Sequence, residues 1–150
     1  MKKVIYTALL VTGLSVSTYA ADDYRYSKEA RVTSNAQAQF NDLYAKATNV
    51  NWEVTEKFQK AFFILDGVTM TAFYNLNGEH IATTQPGKVE QLSETALARI
   101  AKAYKGYEIG KVIEYNNTST VYFVELKKGE REVLVRVTPD NSVYFFKQIK

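Results

Sequence analysis

The stretch FNDLYAKATNVNWEVTEKFQKAFFILDGVTMTAFYNLNGEHIATT, from Phe40 to Thr84, decides the fold. Its apolar residues recur first at steps of three and four and then, from Val50, at steps of two. The first spacing is typical of one face of an amphipathic helix, and the second of half-buried strands. Asp66-Gly67 and Asn77-Gly78 are favourable hairpin turns because these residues tolerate positive φ. The stretch therefore predicts a helix followed by four strands.

The boundaries of this unit follow from its local signals. Ser34 or Asn35 is expected to cap the helix, whose apolar face is predicted from its spacing to carry Ala36, Phe40, Leu43, Tyr44 and Ala47. Trp52 is expected in the core, since it alternates with polar residues together with Val50, Val54 and Phe58 on one strand. The fourth strand is expected to end at Thr84, because Gln85-Pro86-Gly87-Lys88 breaks the alternation.

A second, degenerate copy of this pattern runs from Leu97 to Lys147. Ser93 can cap a second amphipathic helix, and four more alternating segments follow it. The segments TAFYNLNGEHIATT (71–84) and LVRVTPDNSVYFFK (134–147) have equal length and turn at the same positions. We therefore predict an α+β fold: a tandem α-β-β-β-β repeat with two helices packed on one face of an antiparallel sheet. The domain is expected over 34–150, with repeat one at 34–85 and repeat two at 92–150.

The N-terminal residues have the layout of a secretory signal peptide. Lys2 and Lys3 precede an apolar run, and Thr18-Tyr19-Ala20 offers a cleavage site. We expect residues 1–20 to be a signal peptide and 21–33 a flexible leader, so the mature protein would be periplasmic or secreted without membrane insertion. An uncleaved N-terminal anchor is the alternative, but the apolar run is short for a membrane span.

Composition excludes several classes of function. Lys2 and Lys3 account for two of the 19 basic residues against 16 acidic ones, so the mature chain has a net charge of about +1. Nucleic-acid binding, which needs a basic surface, is not expected. The chain has no cysteine and one histidine, His80, for which a structural role is expected. Asp22-Asp23 is expected to be solvated rather than to bind calcium. No catalytic motif stands out, and neither a cofactor nor a metal is expected.

Aromatic side chains are predicted to lie on the sheet face that the helices leave open. If Ala61, Phe63 and Leu65 face the helices, alternation turns their neighbours to the other face. The candidate binding residues selected in this way are Phe62, Phe73, Phe123, Arg136, Tyr144 and Phe146. Aromatic and arginine side chains dominate binding hot spots, so an exposed patch of this kind predicts a partner. The alternatives are that the leader covers this face or that the register is shifted by one residue.

Certain residues of both halves resemble a family of small exported bacterial proteins described as PepSY-like or beta-lactamase-inhibitor-like. The first half has the family pattern of an aromatic helix, Ala-x-x-Val-x-Trp, and Ala-Phe before a Gly turn: Phe40, Ala47, Val50, Trp52, Glu53, Ala72-Phe73 and Gly78. The second half has a helix ending in Tyr-x-Gly-Tyr and an aromatic strand pair: Leu92, Ile100, Tyr104, Gly106-Tyr107, Ile109 and 122–126. Ala45 and Ser93 depart from the pattern, since the family often has Pro there.

The resemblance implies an exported, non-catalytic domain. Related PepSY domains are thought to restrain proteases, and beta-lactamase inhibitory proteins cap an enzyme with a sheet. No specific inhibitory motif matches in this chain, so neither target carries over. The leading hypothesis is a binding module, which resembles a protease or hydrolase inhibitor and holds a protein or peptide on its open sheet face. A structural or envelope-stress protein that self-associates, for example as a homodimer, is the alternative, and an enzyme is the weakest one.

Overall fold

The computed structural model describes residues 31–150, so the predicted signal peptide and most of the predicted leader lie outside the described residues. The helices are α1 (Ser34–Leu43) and α2 (Glu94–Ala103), and a short 3-10 helix, Val89–Gln91, precedes α2. The strands are β1 (Thr48–Val54), β2 (Gln59–Leu65), β3 (Val68–Tyr74), β4 (His80–Gly87), β5 (Glu108–Asn116), β6 (Thr120–Lys128), β7 (Arg131–Val137) and β8 (Val143–Gln148). Within this part of the chain, neither helix is long and apolar enough to cross a membrane.

All eight strands form one antiparallel sheet in sequence order, from β1 to β8. This architecture confirms the predicted α+β tandem repeat, with a helix and four strands in each half. The expected break after Thr84 is wrong, because β4 continues through Pro86 to Gly87. Its last residues pair with β5, Gln85 with Glu114 and Gly87 with Val112, and this pairing joins the two halves into one sheet.

Helix α1 packs on the first half of the sheet through Ala36 and Phe40. The Phe40 ring makes an edge contact with Phe63 on β2, with 5.0 Å between the ring centroids. The cap is Thr33 rather than Ser34 or Asn35, since the Thr33 hydroxyl accepts a hydrogen bond from the Ala36 amide at 3.3 Å. The helix also ends sooner than the apolar spacing predicts, and Leu43 is exposed.

Helix α2 covers the second half in the same way. Ala96 and Ile100 are buried against strands β5 to β7, together with Leu92, which directly precedes the Ser93 cap. The predicted cap is confirmed, because the Ser93 hydroxyl accepts from the Ala96 amide at 3.0 Å. Each helix therefore buries a small cluster against its own four-strand unit, and both clusters lie on the same face of the sheet.

The turns agree with the sequence only in part. Asp66 and Gly67 both have positive φ, as a two-residue hairpin of this kind requires. At the second predicted hairpin only Gly78 does, with φ +83°, and the loop spans the five residues between Tyr74 and His80. A side chain at Gly78 would also collide with the start of α1, since its Cβ would lie 2.6 Å from the Ala36 amide nitrogen. The loop is therefore shaped by the helix that packs on it.

Strand β1 corrects the expected alternation. A register shift between Thr48 and Asn51 leaves Val50 exposed, and Phe58 lies beyond the strand and packs on the opposite face of the sheet. Trp52 does face α1: its ring centroid lies 5.4 Å from that of Phe40 and 5.5 Å from that of Tyr74. Trp52 is half-buried, so it lies at the edge of this core rather than at its centre.

Candidate binding surface

The sheet face without helices, called the second face below, has a small apolar core of its own. Alternation and strand pairing place Phe62 and Phe73 on this face in the first half of the sheet, and Phe123 and Arg136 in the second. The predicted orientation of the strands is therefore confirmed. Two clusters of side chains fill the face: Phe58 with Phe73, and Ala82 with Tyr115, Phe123 and Leu134.

The expectation that this whole face is open to solvent is wrong for two of the six candidate residues. Phe73 is 1% exposed and Phe123 is 2% exposed. The Phe58 ring packs on Phe73, with centroids 6.1 Å apart, and the Phe146 ring packs on Phe123 at 5.0 Å. Phe73 and Phe123 therefore form the floor of the second face, and a partner would meet the side chains above them.

The six candidates separate into two groups along the sheet. Phe62 and Phe73 lie on β2 and β3, whereas Phe123, Arg136, Tyr144 and Phe146 lie on β6 to β8. Three strand spacings of about 4.8 Å lie between β3 and β6, so Phe73 and Phe123 are at least about 14 Å apart. The four residues on β6 to β8 form a single contact surface, and we name them the Arg136 cluster.

The Arg136 cluster combines a cation with exposed aromatic surface. The guanidinium carbon of Arg136 lies 5.4 Å from the centroid of the Tyr144 ring, its cross-strand partner, and Phe123 pairs with Arg136 from the other side. Tyr144 is 50% exposed, while Arg136 and Phe146 are half-buried. Among residues 31–150, Arg136 has no ion pair and no hydrogen bond through its side chain. The cluster therefore presents an available cation between aromatic rings.

A different arrangement surrounds the other candidate group. Lys60, between Phe58 and Phe62, is 1% exposed, and its Nζ lies 2.7 Å from Oε1 of Glu53 on β1. The same Nζ lies 5.7 Å from the Phe58 ring centroid and 5.4 Å from that of Phe62. Lys60 is buried and paired with Glu53, so the group formed by Phe62 and Phe73 has no unpaired cation among the described residues to offer a partner.

The acidic residues Glu125 on β6 and Glu132 on β7 form ion pairs with a lysine of β6. Glu125 is buried, and its Oε1 lies 2.8 Å from Nζ of Lys127, which also lies 3.5 Å from Oε1 of Glu132. The hydrogen bond and the charge of Glu125 raise the pKa of Lys127. These carboxylates neutralise Lys127 rather than Arg136.

His80 lies under α1, away from the second face. Its Nε2 is 2.9 Å from the Thr83 hydroxyl, which the Tyr44 hydroxyl also contacts, and its backbone N–H donates to Oε1 of Gln39 at 3.1 Å. Its ring packs on that of Tyr74 at 5.3 Å. Burial lowers the pKa of His80 and raises that of Tyr74. These contacts fix α1 to β4, in agreement with the structural role expected for His80.

One cavity of 590 Å³ lies at the opposite end of β6 to β8 and is lined by Tyr107, Lys128, Glu130, Arg131, Gln148 and Lys150. Lys128 donates to the Lys105 carbonyl at 3.3 Å and lies 5.7 Å from the Tyr107 ring centroid. Across the described range 31–150, no three acidic, histidine or cysteine residues are grouped as a metal would require. The Arg136 cluster is therefore the arrangement best suited to contact a macromolecule.

Two residues outside the six candidates also shape this surface. Alternation along the chain predicts Phe58 on the same face as Trp52, whereas Phe58 lies on the second face and covers Phe73. Lys147, which pairs with Leu134 on the second face, is half-buried and was not selected. A register shift between Leu134 and Val135 turns it there, and alternation alone cannot reveal a shift of this kind.

Compared by sequence, no family model and no curated protein matches the chain. The fold, however, is similar to those of several solved structures from Bacteroides. A DUF2874 family protein from Bacteroides uniformis has a TM-score of 0.67 and 15% identity, over 75% of this chain and 86% of that protein. A BLIP-like protein from Bacteroides fragilis has a TM-score of 0.66 and 18% identity, over 81% of this chain and 89% of that protein. A candidate periplasmic protein from Bacteroides eggerthii has a TM-score of 0.67 and 12% identity, over 79% of this chain and 88% of that protein.

These likenesses confirm the expected PepSY-like or beta-lactamase-inhibitor-like fold. They concern the fold alone, because the identities are low.

Proposed function

We propose that the chain is an exported, non-catalytic binding module that holds a protein or peptide partner on the Arg136 cluster, in the manner of an inhibitor domain. The observation that carries the proposal is the contact between Arg136 and the half-exposed Tyr144, with no acidic partner for Arg136 among the described residues. Tyrosine and arginine are enriched in binding hot spots, where large side chains exclude water from a central contact.

The cluster is also suited to binding because it is rigid. The half-buried Phe146 ring packs edge to face on the buried Phe123 ring, and the strands on which they lie are paired with neighbours. Side chains that are already held in place lose little conformational entropy when a partner binds. The cluster can therefore contribute to affinity without reorganising.

The fold likenesses support the coarser part of the proposal. One solved relative is described as BLIP-like and another as a candidate periplasmic protein, which fits an inhibitor-like module in the periplasm or outside the cell. The predicted signal peptide agrees with export. Fold alone does not carry function, so the proposal depends on the Arg136 cluster and not on the likeness.

The proposal is tested by capture from the envelope fraction of the cell that exports the protein. Tyr144 and Phe145 are adjacent, 50% and 60% exposed, and lie on opposite faces of β8. We expect Tyr144→Ser to lose a partner that the wild type captures, and Phe145→Ser, the matched control, to retain it. Equal capture by the two variants would contradict the proposal.

Self-association is a second candidate function, and one observation favours it. Strand β8 is an edge of the sheet, and it and the residue after it expose Tyr144, Phe145 and Ile149. Edge strands with exposed apolar side chains can pair with another chain. Light scattering after size-exclusion chromatography separates the two functions: a stable dimer that both Tyr144→Ser and Phe145→Ser dissolve would favour self-association through the edge.

A further inference from the structure

Two half-buried cations lie on the second face at strands β7 and β8, and both are without an acidic partner. Arg136 and Lys147 have no side-chain ion pair or hydrogen bond to any residue in the described part of the chain. Two other lysines of this face differ, since Lys60 is paired with Glu53 and Lys127 with Glu125. Arg136 and Lys147 thus differ from these two lysines in having no acidic partner among the described residues.

Nearby carboxylates do not compensate these cations. Glu125 and Glu132 both lie within ion-pair distance of Lys127, the only cation that they neutralise within residues 31–150. With Lys127, Arg136 and Lys147 make three cations against these two carboxylates, so this part of the second face keeps a net charge of about +1. Arg136 and Lys147 are the cations without an acidic partner among the described residues. A half-buried cation is partly removed from water. It is stabilised most by a partner of opposite charge that brings its own hydrogen-bond acceptors.

The geometry of Arg136 selects the kind of anion. A guanidinium is a planar fork with five donors, which matches the two oxygens of a carboxylate, and stacking on an aromatic ring leaves the edge of the fork free to donate. The ring of Tyr144 occupies one side of Arg136, and the Phe146 ring packs on Phe123, the residue that pairs with Arg136 on β6. A carboxylate that reached Arg136 would therefore bring its neighbouring groups into contact with aromatic surface.

We propose that the partner is recognised through an acidic side chain flanked by apolar residues, with its carboxylate held by Arg136 and Lys147. This inference depends on the proposed binding function and adds the chemistry of the partner to it. The occupant is a segment of another protein that presents Asp or Glu next to an aromatic or aliphatic residue. Its charge is complementary to the local positive charge, and its apolar neighbours match Tyr144 and Phe146.

The experiment uses a displayed library of random peptides of about twelve residues, selected on chain 21–150, which contains the whole described fold. The enriched peptides are synthesised and measured by calorimetry against five proteins: wild type, Arg136→Gln, Lys147→Gln, Tyr144→Ser and the control Arg99→Gln. Arg99 is exposed on α2, in the opposite layer, so the control removes the same charge away from the surface. Tyr144→Ser is included to report on the cluster itself.

We expect the enriched peptides to contain Asp or Glu beside an apolar residue and to lose about tenfold or more in affinity to Arg136→Gln. A smaller loss of about threefold is expected for Lys147→Gln, and none for Arg99→Gln. Replacing the acidic residue of the peptide by its amide should cost the wild-type protein at least as much affinity as Arg136→Gln does, and should cost the Arg136→Gln variant only the smaller loss of about threefold that Lys147 contributes. Raised salt should weaken the wild-type complex more than the Arg136→Gln complex.

The inference is overturned if the enriched peptides lack an acidic residue. It is also overturned if they bind Arg136→Gln as tightly as the wild type. If such peptides still need Tyr144, the proposed binding function survives that result. Peptides that bind equally to Tyr144→Ser contradict the proposed function as well, and a library with no enrichment counts against both. The inference is also overturned if the joint substitution Asp22→Asn and Asp23→Asn raises the affinity of the protein for the peptides by about tenfold. The acidic occupant of the cluster would then be this chain's own leader.

Discussion

Lys60 Nζ lies 2.7 Å from Glu53 Oε1, and the lysine side chain is almost fully buried while the glutamate remains partly exposed. The pair joins β1 to β2 on the second face, between the rings of Phe58 and Phe62. A buried cation loses much of its hydration, so its stability depends on the single carboxylate that reaches it.

Glu53→Gln should therefore lower the free energy of unfolding by about 2 kcal/mol, because it leaves the Lys60 charge buried without an ionic partner. Urea unfolding of both proteins measures the loss. Glu56→Gln is the control: Glu56 is exposed and has no ion pair within residues 31–150, so a change of under about 0.5 kcal/mol is expected. Equal effects of the two variants would show that the Lys60 pair contributes nothing measurable.

Trp52→Ala should cost about 3 kcal/mol, near the lower end for an emptied aromatic position, since Trp52 is only half-buried. The loss would come from its ring contacts with Phe40 and Tyr74, which anchor β1 under α1. Leu43→Ala, on the exposed side of α1, should change stability by under about 0.5 kcal/mol. Denaturant melts followed by circular dichroism avoid relying on the tryptophan signal, and a Trp52→Ala loss under about 1 kcal/mol would place this ring outside the core.

Phe123→Ser should destabilise the fold by at least about 3 kcal/mol, because it removes a buried ring and places a hydroxyl between Tyr115 and Phe146. This follows from burial and not from the sequence-based expectation, which places Phe73 and Phe123 on an open face where Ser would leave folding nearly intact. Phe145→Ser makes the same chemical change at an exposed position of β8 and should cost less than about 1 kcal/mol. Near-native stability of Phe123→Ser in thermal and urea unfolding would refute the burial described for the second face.

Stability should fall as the pH decreases from 7 towards 5. Burial lowers the pKa of His80 in the folded state, so the unfolded chain binds a proton first as the solution becomes acidic. The contribution of His80 to the free energy of unfolding is fully present above the unfolded pKa of about 6.5. It is lost as the pH falls through the lower pKa of the folded state. His80 is the only histidine, so His80→Gln should flatten the slope in this range. An unchanged slope in urea melts of the variant would assign the dependence to other groups.

Periodicity was enough to predict the two helices, the sheet and the face on which most strand residues lie, because these features depend on spacing along the chain, whereas the register shifts at β1 and β8 do not. The burial of Phe73 was not predictable in the same way. It depends on Phe58 and Ile81 from other parts of the sheet, which meet only in the folded chain. Likewise, nothing in the local sequence of Pro86 reveals that β5 pairs with it. The composition of the Arg136 cluster was predicted, but its separation from Phe62 and Phe73 required the strand order.

The central claim, that a partner docks on the second face at β7 and β8, is tested most directly by photo-crosslinking in the exporting cell. A photo-reactive phenylalanine analogue is placed either at Tyr144, on the second face, or at Phe145, which is adjacent and faces the helix layer. We predict a covalent adduct with another protein from position 144 and none from position 145. Adducts from position 145 alone, from neither position, or only between two copies of this chain would contradict the claim.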